Sequence, residues 1–339
     1  MINKPTTITQ IARQIGVSAS TVSRALHDHP SISLTMRDKV KQVAKALNYE
    51  PNERAILFQK GKTFTIGVIL PELSESFFSS ALSIIEDLAY QKNYTVLLSQ
   101  SHDDEDREKQ LVEKMKNHRI DGLIVSVAKT TSNFEHFKRL DHYNIPVVFF
   151  DRIPPTQPIH FVACNIETGS IAAVDYLLKR GHRSIGLING PTTLLASGQR
   201  KEGYIKALQK NRLKFDPSLI VNSDLTENGT KLALENLLAH KRKPTAIVTF
   251  NDYVSVFAIK YTRTLAADVV KNLEFVSYAN SPIINLMERG PVASVEQFPK
   301  IQAQRAVDVL FDLMNNRERD KNAYYNVIIE SELVENSGL

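Results

Sequence analysis

The sequence predicts a small all-α head joined to an α/β core of two doubly wound, parallel-sheet lobes. A helix-turn-helix pattern occupies residues 7–47, and from residue 64 onward apolar, strand-like runs alternate with helical patterns. Strand–helix alternation is typical of parallel sheets with right-handed crossovers. At 339 residues the chain is long enough for two or three compact units.

The first segment carries the local signals of two short helices joined by a tight turn. Thr7 and Gln10 have the spacing of a capping box, and apolar residues follow at helical spacing. Gly16 ends this helix because glycine tolerates a left-handed backbone, and Ser18 is a good N-cap for the next helix. A third amphipathic helix is predicted at 34–47. Such a helix pair is typical of proteins that place the second helix in the DNA major groove.

The positive charge of the chain is concentrated in this first segment. Residues 1–62 carry ten Lys and Arg against four acidic residues, a net charge of +6, whereas the whole chain has +5. The remaining residues are therefore close to neutral. A basic excess confined to the helix-turn-helix segment indicates double-stranded DNA as a partner, rather than a generally basic surface.

Composition and motifs exclude several other classes of protein. The single cysteine, Cys164, cannot form an intramolecular disulfide, and we expect it to fill a small buried space. The N-terminus has no apolar signal-peptide core, and no run approaches the ~18 apolar residues of a membrane helix. We therefore expect a cytoplasmic protein without membrane contact. No dinucleotide, P-loop or metal-ligand spacing occurs, so we expect neither a cofactor, nor a metal, nor catalysis.

From residue 64 onward, the pattern predicts two lobes whose ligands bind beyond the carboxyl ends of the strands. The strand candidates are 64–70, 94–100, 121–127, 145–151, 184–190, 245–250, 274–278 and 326–330. The helical patterns between them are 77–91, 105–118, 167–180, 199–211, 228–239, 252–263 and 299–315. So many strands fit two sheets better than one.

Several motifs make the whole chain similar to the lactose/galactose repressor (LacI/GalR) family of bacterial transcription regulators. They are GVSASTVSRAL, LNYEPN, GKTFTIGVILPE, FFDR, SGQRKEGYIKAL, FND, SVEQ and NVIIESELVENSG, in that order. The resemblance implies a head at 1–50, a hinge helix at 51–62 that folds on DNA, and a core at 63–339 similar to type I periplasmic binding proteins. We expect one lobe at about 63–163 and 293–322, and the other at about 164–292 and 323–339.

The resemblance also implies DNA-contacting residues at the start of the second helix and in the hinge. They are Ser18, Ala19, Ser20, Thr21, Arg24, Asn52, Arg54, Ala55 and Phe58. Arg24 is the best candidate for a base contact, because a guanidinium can bind guanine O6 and N7 together; a phosphate contact is the alternative. Phe58 stands where the family usually has a leucine that wedges into the minor groove, and Leu57 is the alternative wedge.

A small-molecule effector is expected between the lobes. The candidate effector residues, several of which directly follow predicted strands, are Phe77, Phe78, Ser126, Asp151, Arg152, Arg200, Asn251, Asn280 and Gln297. Arg200 matches the family's ligand-clamping arginine, whereas Phe77 and Phe78 either stack on the ligand or pack in the core. Many sugar-responsive relatives have an aspartate where this chain has Ala279 and Asn280. Its loss favours an acidic sugar or a phosphorylated metabolite over a plain neutral sugar.

These features predict a homodimeric repressor of carbohydrate-related genes that binds a palindromic operator with effector-dependent affinity. No leucine heptads follow the last motif, which favours a dimer over a tetramer built on a coiled coil. The main alternative is a metabolite receptor that does not regulate DNA, and a salt-sensitive gel shift on palindromic DNA would separate the two. An enzyme is a third possibility, which turnover of a bound metabolite would reveal.

Overall fold

The computed structural model describes residues 6–49, 62–266, 273–316, 320 and 323–336. The chain divides into two compact units, Met1–Thr63 and Phe64–Leu339. The predicted hinge residues Asn52, Arg54, Ala55 and Phe58, with the alternative wedge Leu57, lie outside the described residues.

The head contains three helices, α1 (Ile8–Ile15), α2 (Ala19–Leu26) and α3 (Leu34–Ala46). The predicted capping box forms at the start of α1, where the Thr7 amide donates to Gln10 Oε1 at 2.8 Å. Gly16 ends α1 in the left-handed region, at φ 80°. The predicted helix-turn-helix is therefore present, and its ends are set by local capping.

Apolar side chains from all three helices form the core of the head. Ile11, Val22, Ala25 and Val40 are fully buried there. The inward face of α2 consists of Val22 and Ala25, whose helical spacing places them on one side of the helix.

The second unit is built from twelve strands and eight helices among its described residues. The strands are β1 (Thr65–Leu70), β2 (Thr95–Gln100), β3 (Gly122–Val125), β4 (Val147–Phe150), β5 (His160–Asn165), β6 (Ile185–Asn189), β7 (Ile220–Asn222), β8 (Ala246–Thr249), β9 (Glu274–Tyr278), β10 (Ala293–Glu296), β11 (Asn326–Glu330) and β12 (Glu332–Glu335). The helices are α4 (Ser76–Gln91), α5 (Glu105–Asn117), α6 (Glu135–Lys138), α7 (Ile166–Lys179), α8 (Leu195–Lys210), α9 (Glu227–Ala239), α10 (Asp252–Thr262) and α11 (Pro299–Asn315).

The strands form two six-stranded sheets, which confirms the predicted pair of doubly wound lobes. The first sheet has the order β11-β5-β4-β3-β1-β2 and is entirely parallel. The second has the order β12-β10-β9-β8-β6-β7 and is parallel except for β12. Central strands such as β3 and β6 are buried along their whole length, as expected when helices cover both faces of a sheet.

Two strands belong to the lobe opposite to the one expected. Strand β10, expected in the first lobe, pairs with β9 in the second sheet, and β11, expected in the second lobe, pairs with β5 in the first. The lobe limits at 293 and 323 are therefore wrong for these strands. Sheet membership depends on pairing between distant segments, and such short strands carry no local signal for it.

The chain passes between the lobes after β5, after β10 and after β11. The first and third of these crossovers are tied together by side chains. Asn165 Nδ2 donates to both carboxylate oxygens of Glu330 at 3.1 Å, and Ser331 Oγ donates to the Asn165 carbonyl at 2.8 Å. These hydrogen bonds therefore link the two crossover segments to each other. Among the described residues, no helix has the length and apolar character needed to cross a bilayer.

Candidate functional site

One cleft between the lobes brings together most of the predicted effector residues. Seven of the nine line it: Phe77, Phe78, Asp151, Arg152, Arg200, Asn251 and Gln297. Five residues that were not predicted complete the lining: Glu75, Ile166, Ala196, Phe250 and Ala279. The cleft holds about 460 Å³ of empty space, including solvent at its mouth. It lies beyond the carboxyl ends of strands such as β4 and β8, where doubly wound sheets bind ligands.

Arg200, on α8, presents a buried guanidinium to this cleft. Its guanidinium carbon lies 4.0 Å from the ring centre of Phe250 and 4.2 Å from that of Tyr278, so the cation is held between two aromatic faces. Nη1 donates to the Ala196 carbonyl at 3.3 Å, whereas the buried Nε has no hydrogen-bond partner among the described residues. Burial lowers the pKa of Arg200. The side chain is thus positioned to donate to an incoming oxygen.

Close packing of α7 against α8 fixes the position of Arg200. Ser170 Oγ on α7 donates to the Arg200 carbonyl at 2.7 Å. One turn further along α8, a Cβ on Gly203 would lie 2.4 Å from the Glu167 carbonyl oxygen and 2.6 Å from Ser170 Cβ. Only glycine lets the two backbones approach this closely.

Arg152 lines the opposite wall of the cleft, with its charge already compensated. Its Nη1 forms a 2.6 Å ion pair with Asp103 Oδ1, and its Nη2 lies 3.7 Å from Glu75 Oε1. The guanidinium also lies 5.4 Å from the ring centre of Phe78. Arg152 therefore forms part of the cleft wall, and its positive charge is already paired with carboxylates of the protein.

Two carboxyl groups face these arginines. Asp151 adopts a left-handed backbone, with φ 61°, which is uncommon for a residue other than glycine. Burial raises the pKa of Asp151 to about 6, against the opposing effect of Arg152 and Arg200. Burial likewise raises the pKa of Glu75, opposed by Arg152. Both groups can accept hydrogen bonds from ligand hydroxyls.

Ser126 and Asn280 lie outside the lining of the cleft. Ser126 is fully buried, and its Oγ accepts from the Arg152 amide at 3.4 Å. Asn280 has φ 48°, and its Nδ2 donates to Glu296 Oε2 at 2.9 Å. The backbone is left-handed at Ala279 and Asn280, and this turns the Asn280 side-chain amide toward Glu296. The periodicity of β9 does not predict this orientation, because it assumes that the extended backbone continues.

Phe77 and Phe78 both line the cleft and pack in the core of the first lobe. The Phe77 ring stacks on Phe150 at 5.9 Å, and the Phe78 ring meets Phe77 edge-on at 5.3 Å. The two interpretations left open by the sequence are therefore compatible. Phe250 also lines the cleft, although it was not among the predicted effector residues. It directly follows the buried strand β8, and this position at a strand end is the sequence feature that could have indicated it.

Asn251 and Asp252 order the far wall of the cleft. Asn251 Oδ1 caps α10 by accepting from the Val254 amide at 3.0 Å. The buried Asp252 carboxylate accepts from the Ser281 amide at 2.6 Å, from Ser294 Oγ at 3.0 Å, and from Ser277 Oγ. It therefore joins α10 to β9 and β10.

Cys164 is buried within the apolar cluster of the second lobe, as expected for a small filler. Burial raises the pKa of its thiol to about 12, so the thiol stays protonated at neutral pH. Across the described parts of the chain, no group of three or more His, Cys, Asp or Glu residues could hold a metal ion.

In the head, the predicted base-reading residues share the exposed side of α2. Ser18, Ala19, Ser20 and Arg24 are exposed, whereas Thr21 is half-buried. Ser18 Oγ lies 2.8 Å from both Ser20 Oγ and Thr21 Oγ1, and it accepts from the Thr21 amide at 3.1 Å. The start of α2 is therefore a short polar surface with a cation one turn further along.

Comparison with known proteins accounts for both units of the chain. Residues 7–52 match the bacterial regulatory proteins of the lacI family, and residues 63–331 match the periplasmic binding proteins and sugar binding domain of the LacI family. Catabolite control protein A of Priestia megaterium is 32% identical over 292 residues, covering 86% of this chain and 87% of that protein. The HTH-type transcriptional repressor PurR of Proteus mirabilis is 29% identical, covering 93% and 92%.

Solved structures show the same fold. The Lac repressor dimer bound to operator and the anti-inducer ONPF has a TM-score of 0.79 at 24% identity, over 99% of each chain. The complex of the transcriptional regulator CelR with cellobiose has a TM-score of 0.73 at 22% identity, covering 98% of this chain and 100% of that one. The family consists of transcription regulators rather than enzymes. This chain belongs to the LacI family of bacterial regulators and is a DNA-binding transcriptional repressor with an effector-binding core.

Proposed function

We propose that this repressor acts as a homodimer on a near-palindromic operator of carbohydrate-related genes, and that a small molecule in the interlobe cleft sets its affinity for DNA. The buried guanidinium of Arg200 lines the cleft, and its Nε has no hydrogen-bond partner among the described residues; this is the observation that supports a ligand there. A ligand shifts a conformational equilibrium only by its difference in affinity for the two states. A cleft built from both lobes provides such a difference.

Charge in the cleft favours a sugar or a sugar acid over a phosphorylated metabolite. Arg152 is paired with Asp103, which leaves Arg200 as the guanidinium without a carboxylate partner among the described residues. Because Asp151 and Glu75 also line the cleft, its charge matches a neutral polyol or a single negative charge better than a phosphate dianion. Asp151 and Glu75 supply acceptors for sugar hydroxyls. They take the place of the aspartate that many relatives have at the positions of Ala279 and Asn280.

On DNA, we assign Ala19, Ser20 and Arg24 to base edges and Ser18 and Thr21 to phosphates. Side chains that read bases must be free to enter the groove, and the exposed side of α2 satisfies this condition. The hinge assignments, Asn52, Arg54, Ala55 and Phe58, rest on the family resemblance. Because its ligand is chromosomal DNA, we place the protein in the cytoplasm.

Exposed apolar residues support a dimer. Ile283 and Leu286, in the turn Pro282–Leu286 after β9, have exposed fractions of 60% and 76%. Large apolar side chains exposed side by side are typical of an interface, and a two-fold dimer buries the same patch on both subunits. The solved Lac repressor complex is described as a dimer.

An unbiased selection of duplexes by the full chain tests this function. At physiological ionic strength, we expect enrichment of a near-palindromic site whose affinity changes with one member of a panel of sugars and sugar acids. Binding of a metabolite without any preferred duplex would indicate a receptor instead. Enrichment of a single half-site by a monomeric protein would refute the homodimer alone.

A further inference from the structure

A second cavity lies in the second lobe, at the end of the sheet opposite to the effector cleft. Its lining is Arg183, Ile185, Tyr204, Leu208, Leu213, Lys214, Asp216, Leu219 and Arg242, and it holds about 390 Å³ of empty space including solvent. Ile185 is the first residue of β6, so this cavity opens at the amino ends of the strands. The effector cleft lies at their carboxyl ends and shares no lining residue with it.

The rim of this cavity has an excess of positive charge. Arg183, Lys214 and Arg242 line it together with one carboxylate, Asp216. The hydrogen bonds of the two guanidinium groups go to backbone carbonyls: Arg183 Nη1 donates to Leu178 at 2.7 Å, and Arg242 Nη2 donates to Arg183 at 3.4 Å. All three side chains are exposed, so solvent screens their repulsion, and an anion between them would gain charge-assisted hydrogen bonds.

The single carboxylate offsets this charge only in part, through its interaction with Lys214. Asp216 Oδ1 accepts from the Ser218 amide at 3.0 Å and from Ser218 Oγ, and its Oδ2 lies 3.5 Å from His240 Nε2. These neighbours, chiefly the Ser218 hydroxyl, lower the pKa of Asp216. With one ionised carboxylate against three cations, the lining keeps a charge of about +2 at neutral pH.

The floor of the cavity is apolar. Ile185, Tyr204 and Leu208 are each almost fully buried beneath the charged rim. Tyr204 Oη donates to the Ile185 carbonyl at 2.7 Å, so the polar end of this side chain is satisfied within the protein. The small part of this floor that the cavity exposes therefore offers van der Waals contact rather than hydrogen bonds.

We propose that this cavity binds a small organic dianion, namely a phosphate monoester with a compact apolar body. The phosphate would lie between Arg183 and Arg242, since guanidinium groups match the geometry of phosphate oxygens. Lys214 adds a third cation at the rim, and the apolar body packs on the floor. The site is independent of the effector cleft and is formed by the second lobe alone.

Isothermal titration of the full chain with phenyl phosphate, and with inorganic phosphate as comparison, tests the proposal. Loss of one charged hydrogen-bond donor weakens binding by roughly tenfold or more, which we expect for Arg242→Ala. Lys214→Ala should weaken binding a few-fold. Lys241→Ala removes an equal charge from an exposed neighbour that does not line the cavity, and it should leave binding within a factor of about two.

Several results would overturn the site. Absence of phenyl phosphate binding would do so. An equal loss of affinity in Lys241→Ala and Arg242→Ala would also do so, because it would mean that the anion responds only to the general charge of the surface. Loss of binding in Arg200→Ala, with Arg242→Ala unchanged, would place the anion in the effector cleft. Phenyl phosphate binding no more tightly than inorganic phosphate would contradict the role of the apolar floor.

Discussion

At the scale of single residues, the two arginines of the cleft differ in what surrounds their charge. Arg152 is paired with Asp103 at 2.6 Å, whereas Arg200 lies between two rings with its Nε free. Removing one member of a buried ion pair leaves the other charge uncompensated, but removing an unpaired buried charge relieves a desolvation cost. The same substitution should therefore have opposite effects at the two positions.

Arg200→Met should raise the free energy of unfolding of the effector-free core by about 1–2 kcal/mol, because a chain of similar length replaces an unpaired charge. Arg152→Met should lower it by about 3–5 kcal/mol, because Asp103 loses its partner. Urea denaturation followed by circular dichroism measures both. A loss of stability in Arg200→Met would show that its ring contacts outweigh its desolvation.

Asp151 should make the core less stable as pH rises. Its pKa is about 6 in the folded protein, above the ordinary value of 3.8, so the folded state holds the proton more tightly than the unfolded state does. The stabilisation is complete below about pH 4 and is lost as pH rises to about 6, by up to roughly 2–3 kcal/mol. Asp151→Asn, which also tolerates the left-handed backbone, should remove this dependence and be the more stable protein at pH 7.

Urea denaturation of both proteins at pH 4, 5, 6 and 7 measures this effect. The difference between the two slopes isolates Asp151 from every other titrating group. Parallel slopes would mean that Asp151 does not titrate in this range.

On the DNA side, Arg24→Ala should cost about 1–3 kcal/mol of operator affinity and relax the preference at one base pair. Fluorescence anisotropy with the selected operator and its single-base variants measures both effects. An equal loss on every duplex, with a shallower salt dependence, would assign Arg24 to a phosphate.

At the scale of secondary-structure elements, the approach of α7 to α8 makes two glycines of one helix respond oppositely to alanine. Alanine normally favours a helix over glycine by up to about 1 kcal/mol. A Cβ at Gly198 meets nothing within 4 Å, whereas at Gly203 it would clash with the Glu167 carbonyl. Gly198→Ala should raise the melting temperature, and Gly203→Ala should lower it and displace Arg200.

Differential scanning fluorimetry of the two variants measures this contrast within one helix. Because Arg200 lies on the same helix, Gly203→Ala should also weaken the response to the effector, whereas Gly198→Ala should not. If Gly198→Ala and Gly203→Ala both raised the melting temperature, α7 and α8 would be able to move apart without loss of stability.

The long helices could be predicted to within a few residues, because capping and periodicity are local properties. Helix α11 was predicted at 299–315 and occupies Pro299–Asn315. Strands β5, β7, β10 and β12 were not among the candidates. Strands β7, β10 and β12 have only three or four residues, which carry little pattern and gain their structure from pairing, whereas the six residues of β5 were missed despite their length. Those lining residues of the cleft that directly follow a strand, such as Asp151 and Asn251, could be predicted from the sequence. Asn280 was misplaced because backbone φ, rather than sequence position, orients its side chain.

At the scale of the whole core, a few hydrogen bonds join the lobes beside the cleft. Tyr253 Oη donates to the Ser74 carbonyl at 2.6 Å, and Ser76 Oγ donates to Ser281 Oγ at 2.9 Å. Elsewhere, Lys129 Nζ donates to the Asp224 carbonyl at 3.0 Å, and Thr193 Oγ1 donates to the Lys129 carbonyl. These bonds are made by the protein's own groups and hold the two lobes against each other.

The interlobe bonds also connect with the cleft through a shared carboxylate. Lys129 Nζ lies 3.7 Å from Asp103 Oδ2, and Asp103 holds Arg152 in the cleft wall. A ligand that moves Arg152 therefore changes the surroundings of Lys129. This chain of contacts offers a physical route from occupancy of the cleft to the balance between open and closed lobes.

Tyr253→Phe should shift that balance toward the open form, because it removes one interlobe bond and keeps the ring. If the bond contributes about 1 kcal/mol, the ratio of closed to open lobes falls about fivefold. Small-angle X-ray scattering should then show a larger radius of gyration without effector. Tyr176→Phe is the matched control, since its hydroxyl contacts Glu335 within the second lobe. Effector affinity should fall in Tyr253→Phe alone, because only a smaller closed fraction binds; equal affinities in both variants would show that closure does not limit binding.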